Sequence, residues 1–242
     1  MTRAPEIWPI QPFAEVADYR VGKTPARANK QYWNHSAESV PWAAISDLEP
    51  YGEVRVTKEV VSKQALDNVF RGEVVPAGTL LMSFKLTIGR VATLATPAVH
   101  NEAIISIYPH AGIDQRFLGY FLSQYDYSEI QDRQIKGDTL NKSKIDRIPV
   151  PTPPESEQVF VADALDLVRR TLKVQEDVEA ILQLLKVAAM RQLLTRGMRG
   201  EPQKETEIGP IPESWGVGPL GRWVEFQRGF DITKSEQVLD GA

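Results

Sequence analysis

The chain has 242 residues, 42% of them apolar, a net charge of −4 and no cysteine. That is enough for one large or two small cored domains, and it excludes disulfides, thiolate metal sites and a cysteine nucleophile. No stretch approaches 18 uninterrupted apolar residues and the opening MTRAPEIWPIQPF has no apolar signal core, so a cytoplasmic protein that does not span a membrane is expected.

The charge is unevenly spread. Residues 1–150 carry 17 Lys and Arg against 17 Asp and Glu, residues 151–200 carry 7 against 7, and residues 201–242 carry 4 against 8. The excess negative charge sits wholly in the tail. A neutral domain can still present a basic face, so composition is silent about nucleic acid rather than against it. His35, His100 and His110 are scattered without metal-ligand spacing.

Taken in order, the chain opens on PEIWPIQPFAEVADYRVG at 5–22. This stretch aligns without gaps to PESWGVGPLGRWVEFQRG at 212–229, with Pro5, Glu6, Trp8, Pro12 and Gly22 recurring as Pro212, Glu213, Trp215, Pro219 and Gly229. That is a long-period internal repeat. The second copy runs only to Ala242, so the chain reads as one full unit and the opening of a second.

Within the first unit, AEVADYRV is a short helical or strand entry closed by the turn Gly22-Lys23-Thr24-Pro25. A polar loop with Tyr32 and Trp33 follows. VPWAAISDLEP reads as a strand entering a turn capped by Ser46-Asp47, and ALDNVF at 65–70 as a short helix. From Val74 to Ile107 the pattern is β, broken by Gly78, Gly89 and Pro97. Residues 114–135 read as a helix with Phe117, Tyr120, Phe121 and Tyr125 on one face. A polar loop and a short IPVP strand complete the unit.

Glu155 to Arg196 contains neither Gly nor Pro. As one helix that run spans roughly 60 Å. Pro154 suits the first turn, acids at its start and arginines at its end suit the helix dipole, and Gly197 is the expected stop. Leu165, Val168 and Leu172 step by three and four, as do Val178, Leu182, Leu185, Ala189 and Leu193, with a slip in phase near Gln175. A stripe on so long a helix is expected to pair with another helix; the alternative is an ordinary core helix.

No catalytic set stands out. The glycines at 72, 78 and 89 lack nucleotide-loop spacing. No acid is followed two residues later by Lys, as in many nucleases, and no Asn-Pro-Pro-aromatic tetrapeptide is present. What remains is binding chemistry in three loops that combine cations, hydroxyls and amides. They are Lys23-Thr24 with Arg27, Asn29 and Lys30; Ser83 to Arg90 with His100 and Asn101 downstream; and Lys136 to Lys144. Such residues neutralise phosphates and read base edges. Singly, each loop also fits a solvated connection.

Together, Gly22-Lys23-Thr24-Pro25, Val40-Pro41-Trp42 with Ile45-Ser46-Asp47-Leu48, Gly78 to Gly89, Asn101-Glu102-Ala103-Ile104, Ile148-Pro149-Val150-Pro151 and Pro153-Pro154-Glu155 through Gln158 resemble the specificity subunit of a type I restriction-modification enzyme. Order and spacing carry the resemblance across nearly the whole chain.

The resemblance implies an α/β (mixed α+β) DNA target-recognition domain at 1–150 followed by a long coiled-coil-forming α-helix at 151–198. Residues 199–242 would be a linker and the start of a second recognition domain. It implies a non-catalytic subunit that reads double-stranded DNA while methyltransferase and motor-nuclease subunits bind S-adenosylmethionine, Mg and ATP. The residues expected at the DNA are Lys85, Thr87, Arg90 and Asn101, then Lys136, Thr139 and Lys142, then Lys23, Thr24 and Lys30. Family subunits hold two recognition domains and two helices; this chain holds one of each. Two copies are therefore expected to pair through the helix as a homodimer and read a split palindrome. The alternative is an inactive fragment, or a helix-mediated interaction module without DNA specificity.

Overall fold

The computed structural model describes residues 8–128, 130, 132–134, 137–227 and 229. The chain divides into two compact units, Met1–Arg170 and Thr171–Ala242.

The first unit begins with β1 (Ile10–Pro12), the short helix α1 (Phe13–Val16) and β2 (Ala17–Val21). Pro12 in extended geometry starts α1, and Phe13 and Val16 turn inward. β3 (Val40–Ala43) follows, then a 3-10 turn in which the Asp47 carboxylate accepts the Ala44 N–H at 3.0 Å. This is the cap expected there. After β4 (Gly52–Val54) and β5 (Glu59–Val61), Ser62 caps α2 (Lys63–Phe70) by accepting from the Ala65 N–H, and Arg71 closes it in the left-handed region at φ 60°.

The expected β region resolves into β6 (Leu80–Ser83), β7 (Lys85–Leu86), β8 (Val91–Leu94), β9 (Val99–His100) and β10 (Ile104–Pro109). The main sheet has the order β2-β10-β6-β8-β4, with β4 alone parallel to its neighbour. A second sheet, β5-β3-β9, carries Trp42 and Val61 into a cluster with Leu66 and Phe70. β6 reads Leu-Leu-Met-Ser because both its faces are covered. Leu80 and Met82 join Phe13, Ile105, Ile107, Leu118 and Leu122, while Leu81 joins Leu48, Leu94 and Ile104.

α3 runs Gln115–Gln124, capped by Asp114, which accepts from the N–H groups of Arg116 and Phe117. The helix expected over 114–135 is therefore shorter. It ends where Tyr125 turns extended, Asp126 accepts the Ser128 N–H at 2.9 Å, and the buried Tyr127 hydroxyl donates to Leu122 O at 2.8 Å. Local side-chain bonds of this kind offer the backbone an alternative to helix. Leu118 and Leu122 are fully buried, Phe117 nearly so, and Tyr120, Phe121 and Tyr125 only in part.

β11 (Asp132–Gln134), β12 (Gly137–Thr139), α4 (Lys142–Asp146) and β13 (Pro149–Pro151) follow. β13 is the expected IPVP strand and pairs with β1, with Val150 opposite Gln11. Between them these segments bury Phe13 under Ile145, Ile148 and Val150.

The long helix is continuous: α5 spans Glu155–Arg196. Gly197, at φ 62°, stops it, and its N–H donates to Leu193 O at 3.0 Å. In the second unit β14 (Gln203–Lys204) pairs with β15 (Ile211–Pro212). The repeat is visible in the backbone. Pro219 starts a 3-10 turn over Leu220–Arg222 at φ −63°, ψ 137°, where Pro12 starts α1 at φ −60°, ψ 145°. The matched side chains differ in burial: Phe13 is 0% exposed and Leu220 59%, Val16 1% and Trp223 61%.

Candidate nucleic-acid interface

The three polar loops meet through the backbone. Lys85 and Leu86 of β7 pair with Thr139 and Asp138 of β12, and Leu140 N–H donates to Phe84 O at 2.9 Å. That joins the second loop to the third. Phe84 N–H donates to Ala103 O at 2.9 Å, and Lys23 N–H donates to His100 O at 2.8 Å. That brings the first loop to the Val99–Ala103 strand and turn. Three segments far apart in sequence are thereby fixed to one end of the two sheets.

Ser83 organises the second loop. Its N–H donates to Arg90 O, and its carbonyl accepts the Gly89 N–H, both at 2.9 Å. Its buried hydroxyl donates to Thr87 O and accepts the Arg90 N–H. Gly89 lies at φ 79°, and a Cβ there would sit 2.6 Å from the Tyr127 ring. The loop is therefore a closed, packed turn, and the groups it carries are held on a rigid frame.

The expected contact residues fall into distinct settings. Thr87 is exposed, and Lys85 and Arg90 are half-buried. The Lys85 ammonium lies 5.1 Å from the Phe84 ring centre. Asn101 spends its side-chain carbonyl on the Ala103 N–H at 2.6 Å. Lys142 is exposed in the first turn of α4, which Asn141 caps. Lys30 is exposed in the 3-10 turn before Trp33. Lys23 is exposed, yet its ammonium donates to Val69 O at 2.8 Å. Thr24 departs from the expectation of a surface contact: its hydroxyl is buried and has no hydrogen-bond partner among the described residues. Lys136 and the side chain of Thr139 lie outside the described residues.

Two neighbouring groups are engaged within the domain. Arg27 stacks 3.8 Å from the Trp33 ring centre and is held by both oxygens of Glu59. The hydrogen bond from Arg27 keeps the Glu59 carboxyl below its usual range. His100 is buried, and desolvation pushes it down to about 4, so it is neutral at pH 7. It is part of the core. Trp42 is core as well, while Trp33 is half-buried under Arg27.

The first turns of α5 are clamped to the domain. Gln158 is buried; its carbonyl accepts the Asp114 N–H at 2.9 Å, and its amide donates to Gly112 O and Pro153 O. Arg116 bridges Asp114, Asp163 and Asp166. Tyr120 donates to Asp166 at 2.7 Å and stacks on Tyr51 at 3.6 Å. Arg169 donates to Tyr51 O at 2.8 Å.

Beyond these residues α5 is largely exposed: within the helix only Gln158 and Ala162 are buried. At 3.6 residues per turn, its apolar positions resolve into a seam that differs from the one expected. Phe160, Ala164, Leu167, Thr171, Val174, Val178, Ile181, Leu185, Ala188 and Gln192 alternate strictly by four and three. Of the expected set, Val178 and Leu185 lie in this seam, with Val168, Leu182 and Ala189 along one border. Leu165, Leu172 and Leu193 lie on another face. The phase slip near Gln175 is thus a change of face, because the helix continues unbroken. Phe160, 74% exposed, is the origin of the seam.

Among the described residues no helix is long and apolar enough to cross a membrane, and no group of three His, Asp or Glu side chains could hold a metal ion.

Residues 5–183 match the family described as the type I restriction modification DNA specificity domain. The chain is 26% identical over 99% of its length to the type I restriction enzyme MjaIX specificity subunit of Methanocaldococcus jannaschii, covering 57% of that protein. It is 24% identical over 69% of its length to the HindI specificity subunit of Haemophilus influenzae, covering 37% of it. The chain thus spans about half, or less, of the curated relatives it matches. The fold resembles the HsdS subunit from Thermoanaerobacter tengcongensis, with TM-score 0.55 and 17% identity over 81% of this chain and 47% of that one. It also resembles the type I S subunit from M. genitalium, with TM-score 0.53 and 11% identity over 80% and 48%. With three quarters of its sequence matched, the chain belongs to the family of type I restriction-modification DNA specificity domains.

Proposed function

We propose that this chain is the sequence-reading component of a type I restriction-modification system. It binds one half of a split double-stranded DNA site and is itself non-catalytic. Methyltransferase and motor-nuclease subunits, which bind S-adenosylmethionine, Mg and ATP, modify adenine or cleave. The observation that carries this reading is the joining of the three cationic loops through β7, β12 and the Val99–Ala103 segment. Lys85, Thr87 and Arg90 are the leading contacts, followed by Asn101, Lys136, Thr139 and Lys142, then Lys23 and Lys30. Binding to a duplex of its site, titrated over a range of salt, tests the reading. Affinity should fall steeply as salt rises, because phosphate neutralisation releases counterions. A flat salt response would favour the helix-mediated interaction module instead.

The exposed apolar seam of α5 supports a homodimer of two such chains. In an antiparallel coiled coil, like flanking positions face each other across the pair, so charge selects the register. The flank preceding each seam turn carries Asp163, Arg170, Asp177, Leu184 and Arg191. One register sets Arg170 against Asp177 of the second copy, twice by symmetry. It also packs Phe160 on Leu185, Ala164 on Ile181, Leu167 on Val178 and Thr171 on Val174, a run of complementary sizes. One register step either way sets Asp177 or Arg170 against its own symmetry mate. A parallel pair forms no such bridge, since the opposite flank carries Val161, Val168, Gln175, Leu182 and Ala189. A twofold pair of reading domains implies an interrupted palindrome as the site.

A further inference from the structure

Leu86 combines an unusual backbone conformation with exposure. It lies in the left-handed region at φ 66°, where Gly or Asn is the ordinary choice. It is also 59% exposed, although it is a large apolar side chain. Neither backbone preference nor burial accounts for leucine here.

The exposure follows from the conformation. In a regular strand, alternate residues share a face, so Leu86 would point with Phe84 and Ile88. Phe84 is buried and Ile88 packs against the same core cluster. The left-handed turn at Leu86 breaks that alternation. Among the described residues Leu86 belongs to no apolar cluster. The surroundings enforce the turn: β7 pairs with β12 at this residue, Ser83 closes the loop, and the ring of Tyr127 leaves no room for a Cβ at Gly89. An enforced outlier of this kind points to function.

We infer that Leu86 is a specificity-determining residue that makes apolar contact with the C5-methyl group of a thymine in the major groove. The inference rests on the DNA-reading function proposed above. Its chemistry fits the neighbours. Lys85 and Thr87 flank it in the chain and Arg90 closes the same turn, so it stands among donors suited to phosphates and base edges. The thymine methyl is the apolar feature of the major-groove base code, and aliphatic or aromatic side chains read it.

The test couples the residue to the methyl group. The recognition motif is first mapped with the wild-type chain, by sequencing modified adenines in DNA from cells that co-express it with the methyltransferase subunit. Duplexes of that site are then made with each thymine in turn replaced by uracil, which removes only the methyl. Wild-type affinity should drop about fourfold at one position of each half-site, the worth of one buried methyl. Leu86→Gly should show no such drop and should relax the motif at that base pair of each half alone. Its unfolding temperature should be equal or higher, since glycine relieves the left-handed turn. If Leu86→Gly keeps the wild-type motif and the wild-type sensitivity to uracil, the inference is overturned while the DNA-reading function stands. The inference also fails if Leu86→Gly weakens only the assembly with the methyltransferase subunit, which would make Leu86 a protein contact. If wild type directs no motif at all, the proposed function itself fails, and this inference with it.

Discussion

The Tyr120 hydroxyl donates to the Asp166 carboxylate at 2.7 Å, joining α3 of the recognition domain to the fourth turn of the long helix. Arg116 reaches the same carboxylate at 3.1 Å, and Tyr51 stacks beneath Tyr120. A helix that served only to connect would not need so many bonds at its base. These hold the first four turns of α5 against the domain.

Asp166→Asn tests that clamp through pH. Burial opposes ionisation of Asp166, but hydrogen bonds from Tyr120 and Arg116 and the charges of Arg116 and Arg169 outweigh it, holding the carboxyl below its usual range. A carboxyl depressed in the folded state stabilises the fold above its unfolded value, near 4 for aspartate. That stability is lost as pH falls through the folded value. Thermal unfolding at pH 7 should show Asp166→Asn less stable than wild type, and the gap should close below about pH 4. A gap independent of pH would mean the carboxylate is not the source.

Ser83→Ala should destabilise the reading loop without touching its cations. It leaves the Thr87 carbonyl and the Arg90 N–H without their partner. About 1–3 kcal/mol is expected from such a loss at a buried site, seen in urea unfolding. DNA affinity should weaken with it, because Thr87 and Arg90 lose their frame.

Lys85→Ala and Arg90→Ala separate positioning from reading. Where the side chain neutralises a phosphate, its removal should weaken all duplexes alike and lower the salt slope by about one. Where it reads a base edge, its removal should cost about 1–3 kcal/mol and relax one position of the motif. Unchanged affinity in the double variant would remove this loop from the interface.

Charge reversal on α5 tests the pairing register. Arg170→Asp and Asp177→Arg should each weaken the dimer by about 1–2 kcal/mol, since two symmetric pairs turn from attraction to repulsion. That is about five- to thirtyfold in dimer Kd by analytical ultracentrifugation. The double reversal should restore wild-type association. Two additive losses would exclude this register.

Much of the architecture is legible in the sequence because it rests on local chemistry. The prolines before α1 and before the Leu220 turn, the Asp47 cap, the IPVP strand and the Gly197 stop are each set by one or two residues. What stays hidden depends on distant parts of the chain. β7 and β12 are two and three residues long, too short for any periodic signal, so the joining of the second and third loops cannot be read. The end of α3 turns on Tyr127 reaching back to Leu122, which no window of periodicity registers. Leu86 gives no signal because an exposed leucine in a loop is ordinary in sequence; only its backbone angle marks it. The α5 seam divides between two faces when its spacing is followed from Leu165 rather than from Phe160. Leu220 and Trp223 show the converse. They repeat the apolar pattern of Phe13 and Val16, but the segments that bury the first copy have no counterpart among the described residues of the second unit.

On the proposed function, the chain reads half of a DNA site and, as a pair, directs methylation to both halves. The most direct measurement is a map of modified adenines in DNA from cells that co-express the chain with a type I methyltransferase subunit. A homodimer of reading domains should yield a single motif whose two halves are inverted copies separated by a fixed, unspecified spacer. An asymmetric motif would contradict the homodimer, and the absence of any modified motif alongside a soluble complex would contradict the reading of the chain as a DNA specificity component.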